Sequence, residues 1–111
     1  MERILERTLL FDFYGELLTE HQQNVYEAVV LNDIGYSELA QSEGISRQGI
    51  HDLVRRCDRQ LQSYEEKLHL VERFLKIRDD AQRIRRLGGE LEETAAAKEI
   101  IRLADGILEE L

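Results

Sequence analysis

From Arg47 to Leu87 the chain contains no proline and a single glycine, Gly49, so no strong breaker forces the backbone out of a helix there. Within that stretch Ile50, Val54, Cys57, Leu61, Tyr64, Leu68, Val71 and Leu75 follow one another at alternating steps of four and three. Such spacing puts them on one helix face as a heptad seam. The apolar phase then shifts to Phe74, Ile77, Ala81, Ile84 and Leu87. The shift predicts that the helix breaks or bends between Tyr64 and Leu70, or meets a second partner there. Gly88-Gly89 is expected to end the segment, with Arg83, Arg85 and Arg86 favourably placed against the dipole at its C-terminus.

The rest of the chain follows the same helical logic. No proline occurs anywhere in the 111 residues, and 34% of them are charged against 42% hydrophobic, a profile of amphipathic helices. A first helix is expected from Glu2 to Leu18, packing through Ile4, Leu5, Leu9, Leu10, Phe13, Leu17 and Leu18, with Phe11 and Tyr14 widening the face. Thr19 followed by Gln22 reads as a capping box that starts a second helix running to about Leu31. Asn32-Asp33-Ile34-Gly35 is a turn by composition. Ser37 is expected to cap a short helix from Glu38 to Glu43, which Gly44 stops, and Ser46 to cap the next. A last helix from Glu90 to Glu110 is expected to pack through Leu91, Ile100, Leu103, Ala104, Ile107 and Leu108. The fold expected is all-α. Residues 1–66 hold the N-terminal helices and a helix-turn-helix, and residues 67–111 form a helical extension packed on the same domain or on a dimer partner.

The segment from Tyr36 to Arg56 has the residue types that two short crossing helices need. Leu39 and Ala40 are the inward pair of the first, with Ala40 the small residue at the crossing. Gly44 is the turn glycine, where the backbone often takes positive φ, and Ile45 plugs the corner. Ile50, Leu53 and Val54 point inward from the second helix, which leaves its outer face for a groove. That face carries Arg47, Gln48, His51 and Asp52 on the first turns, where major-groove readers sit. Arg and Gln are the side chains suited to bidentate contacts with guanine and adenine edges. Gly49 leaves room for close backbone approach. Ser46, with the free N–H groups behind it, is suited to a phosphate, and Arg55, Arg56 and Arg59 extend a basic strip for further phosphate contacts. Bland alternatives stand beside two of these: Asp52 pairing with Arg55 or Arg56 at helical spacing, and His51 as a solvated surface residue.

Charge narrows the partners. The formal net charge is −8, and it is uneven: residues 1–35 carry two basic and seven acidic side chains, residues 36–62 four and four, residues 63–87 seven and five, and residues 88–111 two and seven. Acidic ends argue against indiscriminate polyanion binding by the whole surface, and the middle is where an anion docks. Cys57 is the sole cysteine, which excludes an intramolecular disulfide and fits a reducing cytosol. Its place in the seam marks it as a small core residue. The apolar N-terminal residues are interrupted by Glu2, Glu6 and Asp12, so neither a signal peptide nor a membrane span is expected, and the location expected is cytoplasmic. His21 and His69 have no partners at metal-ligand spacing, and no catalytic carboxylate pair, phosphate loop or nucleophile motif occurs. Neither enzymatic activity nor any metal or cofactor is expected.

Ser37-Glu38-Leu39-Ala40, then Gly44 through Asp52, then Tyr64-Glu65-Glu66-Lys67-Leu68-His69-Leu70 closely resemble the YlxM family, small bacterial proteins with a helix-turn-helix similar to region 4 of sigma factors. Leu18-Thr19-Glu20-His21-Gln22 also resembles the entry to the helix before the motif in region-4 domains. The resemblance covers roughly residues 5–87 and does not extend to the acidic tail. Genes of that family typically lie beside those for the signal recognition particle protein and its receptor, which implies a regulatory or accessory role in that pathway. One departure is Gly49, a position often occupied by alanine in such helices; glycine there weakens the helix by about 1 kcal/mol.

The leading expectation is therefore a DNA-binding regulator acting as a homodimer, because one motif reads few bases and the apolar helical faces offer a route to a dimer. A second is an adaptor that docks on the RNA or protein of the signal recognition particle without reading DNA. A third is a structural protein whose basic strip pairs with its own acidic tail, residues 89–111.

Overall fold

A computed structural model of the chain describes residues 3–111. The helices are α1 (Arg3–Tyr14), α2 (Glu20–Tyr26), α3 (Tyr36–Glu43), α4 (Arg47–Leu68), α5 (Leu70–Glu90) and α6 (Ala95–Glu110), and no strand occurs among the described residues. The chain divides into two compact units, Met1–His69 and Leu70–Leu111.

In the first unit α1 ends at Tyr14 in a 3-10 turn, Gly15–Leu17; the helix start expected at Glu2 lies outside the described residues. Leu10, Tyr14 and Leu18 are buried, whereas Ile4, Leu5 and Leu17, expected on the packing face, are about half exposed. The helix is turned so that Phe11 stacks on the Tyr26 ring at 5.5 Å and Arg7 reaches the same phenol. Thr19 and Gln22 exchange both capping-box hydrogen bonds, which satisfy two donors at the start of α2. Beyond Tyr26 the helix widens into a π-helical turn, Glu27–Leu31, closed by the Asn32 N–H donating to the Glu27 carbonyl. The turn at Asn32–Gly35 holds Asp33 at φ 54°. α3 then starts earlier than composition suggests: Gly35 is its N-cap and Ser37 lies inside the helix, making no cap hydrogen bond.

α4 organises this unit. Ile50, Val54, Cys57 and Leu61 are almost wholly buried against α1, α2 and α3. Burying an aliphatic side chain of this size contributes about 1.5–3 kcal/mol, so the N-terminal half of the heptad seam is consumed within its own unit and is not free for a second copy. The helix ends at His69, whose left-handed backbone (φ 56°) returns its N–H to the Glu65 carbonyl. This is the break that the change of apolar phase allowed.

The second unit is a hairpin of α5 and α6. Its interface is built from small residues: Ala81 and Gly88 on one helix, Ala97 and Ala104 on the other, all buried. The expected stop at Gly88-Gly89 does not occur, and α5 continues to Glu90. Neither glycine has positive φ, and a Cβ on Gly88 would lie 3.0–3.1 Å from Ile101 and Ile100. Gly88 is thus a place where α6 approaches the backbone closely rather than a helix terminator. α6 begins at Ala95 rather than Glu90, because Thr94 accepts a hydrogen bond from the Ala97 N–H as N-cap. Leu91, Leu103 and Ile107, expected to pack, are 41–56% exposed. Arg85 Nε donates to Asp105 at 2.6 Å within the hairpin.

Candidate nucleic-acid interface

α3 and α4 pack on each other through Leu39 and Ala40 on one side and Ile50 and Val54 on the other, with Leu53 half-buried. Gly44 has φ +70° and donates its N–H to the Ala40 carbonyl, so the turn requires a residue that tolerates the left-handed region. Ile45 does not plug the corner as its position in the motif suggests. It is 39% exposed and lies beside Gly49, over the first turn of α4. Ser46 caps that turn by accepting from the Gly49 N–H at 2.9 Å. A Cβ on Gly49 would lie 3.2 Å from this hydroxyl, a tight approach, although Thr94 caps α6 through the N–H of an alanine, Ala97, at the equivalent position.

The outer face of α4 presents Arg47, Gln48, Asp52, Arg55, Arg56 and Arg59, all exposed. Asp52 Oδ1 accepts from Gln48 Nε2 at 3.0 Å and from Arg55 Nη2 at 2.9 Å. An ion pair this exposed adds little stability; it joins a candidate base reader, Gln48, and a candidate phosphate ligand, Arg55, through one carboxylate. Asp52 therefore has the pairing role with Arg55 that helical spacing offers. His51 is half-buried on the flank of α4, its ring stacked on Tyr36 at 3.8 Å and 5° between planes. Asp58 is bonded to α1 and α2. It accepts from Tyr26 Oη at 2.6 Å and forms a two-pronged contact with Arg7 at 2.9 and 3.2 Å. Burial and the Asp58 carboxylate together push the Tyr26 phenol far above its ordinary pKa.

Cys57 lies under this cluster and is fully buried. Burial, with the neighbouring Asp58 charge, pushes its thiol up to about 11, so it is a packing residue held protonated. Among the described residues no group of three His, Cys, Asp or Glu side chains is placed to hold a metal ion. No helix among them is long and apolar enough to cross a membrane.

Sequence reasoning did not connect Arg3, Arg7 and Tyr36 with α4. All three border its flank beside Gln48, His51 and Arg55. The only local signal was two arginines at i and i+4 on α1; the bond from Arg7 to α4 spans 51 residues of chain and is invisible to spacing.

Residues 1–102 match the family described as "Putative helix-turn-helix protein, YlxM / p13 like". Similar individual proteins include a UPF0122 protein of Symbiobacterium thermophilum, 44% identical over 85 residues, 74% of this chain and 79% of the relative. A UPF0122 protein of Thermoanaerobacter sp. strain X514 is 36% identical over 104 residues, 94% of this chain and 89% of its own length. One from Clostridium botulinum is 43% identical over 76 residues, 68% and 70% of the two chains.

Proposed function

The chain belongs to the YlxM/p13-like helix-turn-helix family, and from that premise we propose that it is a DNA-binding regulatory protein which reads the major groove with the first turns of α4. The observation that carries the proposal is the exposed Arg47–Arg59 face on a helix whose opposite side is locked into the core by Ile50, Val54, Cys57 and Leu61. A rigid, buried back and a polar, basic front are what a recognition helix requires. Arg47 and Gln48 are assigned to base edges. Ser46 and its following N–H groups, with Arg55, Arg56 and Arg59, are assigned to phosphates. His51 and Asp52 act as supports, the first against Tyr36 and the second against Gln48 and Arg55.

A single motif has too small a footprint for selective binding, so the reading includes a homodimer. With the α4 seam filled from Ile50 to Leu61, the contact is assigned to the hairpin, where Ile77, Ile84, Leu87, Leu103 and Ile107 are exposed. The site of action is taken to be the cytoplasm. A role in the signal recognition particle pathway rests on the sequence resemblance alone.

The alternative, an adaptor docking on the particle's RNA or protein, is favoured by the formal net charge of −8, which opposes a polyanionic duplex over most of the surface. Mobility-shift titrations on a duplex selected by the unmodified chain separate the two. A bidentate base pairing contributes about 1–3 kcal/mol of discrimination, so Arg47→Ala and Gln48→Ala are each expected to weaken binding by about 5- to 160-fold. Parent-like binding by both variants across a salt series would remove the base-reading assignment.

A further inference from the structure

Beside the recognition helix, along one edge of its outer face, lies an open cleft of about 300 Å³. α1 contributes Arg3 and Arg7, α3 contributes Tyr36, and α4 contributes Gln48, His51 and Arg55. Three guanidinium groups thus meet a single lining carboxylate, Asp58, which is already bonded to Arg7 and to the Tyr26 hydroxyl. Arg3 has no carboxylate partner among the described residues. Arg55 has one Nη on Asp52, and an arginine offers five N–H donors, so most of its fork remains available.

Two arginines in the first turns of α1 oppose the helix dipole, whose N-terminal end favours negative charge. Arg7 is compensated by Asp58; the charge of Arg3 is compensated by no carboxylate among the described residues. The missing compensation fits a ligand that is an anion. The stacked Tyr36 and His51 rings stiffen the wall between α3 and α4, which holds the cleft in shape.

We propose that this cleft is a phosphate seat, taking the phosphodiester backbone of the nucleic acid strand that flanks the groove read by α4, with Arg3 and Arg55 as its principal ligands. The proposal rests on the nucleic-acid reading above and deepens it. α1, which carries no part of the helix-turn-helix, becomes the element that fixes the register of α4 on the duplex. Contacts to phosphate position a protein without reading sequence. Arg3 therefore acts equally on every duplex, whereas Arg47 and Gln48 act on selected ones.

The test is fluorescence anisotropy of a labelled mixed-sequence duplex titrated with the full chain over a salt series. Removing one phosphate-neutralising cation from the interface lowers the slope of log affinity against log salt by about 0.9. Arg3→Gln is expected to lower it by that amount, and Arg3→Lys to restore most of it. Arg3 is exposed, and circular dichroism checks that the variant keeps its helices. A parent slope with Arg3→Gln overturns the cleft while leaving the base-reading assignment standing. If the unmodified chain binds no duplex, that wider reading fails and the cleft is judged by a second arm. Inorganic phosphate is titrated into isotopically labelled protein while the arginine Nε–H resonances are followed. Saturable shifts confined to Arg3, Arg7 and Arg55 support an anion seat, and their absence overturns it.

Discussion

Two adjacent glycines near the end of α5 are expected to respond in opposite directions to the same substitution. Alanine at a helical glycine gains about 1 kcal/mol of helix propensity, less near the terminus. At Gly89 nothing lies within 4 Å of where the new methyl would sit, so Gly89→Ala stabilises by up to about 1 kcal/mol. At Gly88 the methyl would lie 3.0 Å from Ile101 Cγ1 and 3.1 Å from Ile100 Cγ2. Both neighbours are β-branched and helical, so their χ1 angles cannot swing aside freely, and α6 must move instead. Overpacking of that kind costs about 1–3 kcal/mol. Gly88→Ala therefore ends up about 0–2 kcal/mol less stable than the parent, and below Gly89→Ala by about 1–3 kcal/mol. Urea denaturation followed by ellipticity at the helical band measures both variants against the parent. If Gly88→Ala stabilises as much as Gly89→Ala, the close approach of α6 to Gly88 is wrong, and with it the reason why α5 passes through two glycines.

The polar cluster beneath α4 and the buried thiol give further expectations. Asp58→Ala leaves the Arg7 charge unpaired and the buried Tyr26 hydroxyl without its acceptor, at about 2–3 kcal/mol, whereas Tyr26→Phe removes one donor for about 1 kcal/mol; chemical denaturation that reversed this order would show the cluster to be dispensable. Cys57 is expected to react with a disulfide reagent only as fast as the unit unfolds, since it is inaccessible and its pKa of about 11 keeps it protonated at neutral pH. The sign of the pH effect follows: the raised thiol pKa adds stability that is intact below the unfolded value and lost as pH rises from about 8.5 through about 11. Rapid labelling of the native chain at neutral pH would contradict its placement.

Much of the first unit is legible in the residues because its signals are local. Thr19 with Gln22, Gly44 and Ser46 each act on backbone groups within a few residues, so the two caps and the turn appear where their chemistry puts them. The end of α4 was harder to see. No glycine or proline marks it, His69 adopts the left-handed conformation that glycine usually takes, and only the change of apolar phase betrayed the break. Gly88 and Gly89 misled for the complementary reason. A glycine terminates a helix only where φ turns positive, and here the approach of Ile100 and Ile101, a tertiary fact, gives Gly88 its role. Which face of α1 is buried depends on the distant Tyr26 and Asp58, so its aliphatic pattern pointed at Ile4, Leu5 and Leu17 instead. The outer face of α4 was readable as a list of side chains, and helical spacing offered the Asp52–Arg55 pair; the bond from Gln48 to Asp52 and the stacking of His51 on Tyr36 were not readable.

The central claim is that the Arg47–Arg59 face of α4 reads duplex DNA. Selection of a randomised duplex pool by the full chain at physiological salt tests it most directly, with labelled signal recognition particle RNA as competitor. Enrichment of a recurrent motif, displaced only weakly by the RNA and abolished by Arg47→Ala, is the result predicted. A pool that emerges unenriched while the RNA binds tightly would contradict the claim and favour the adaptor.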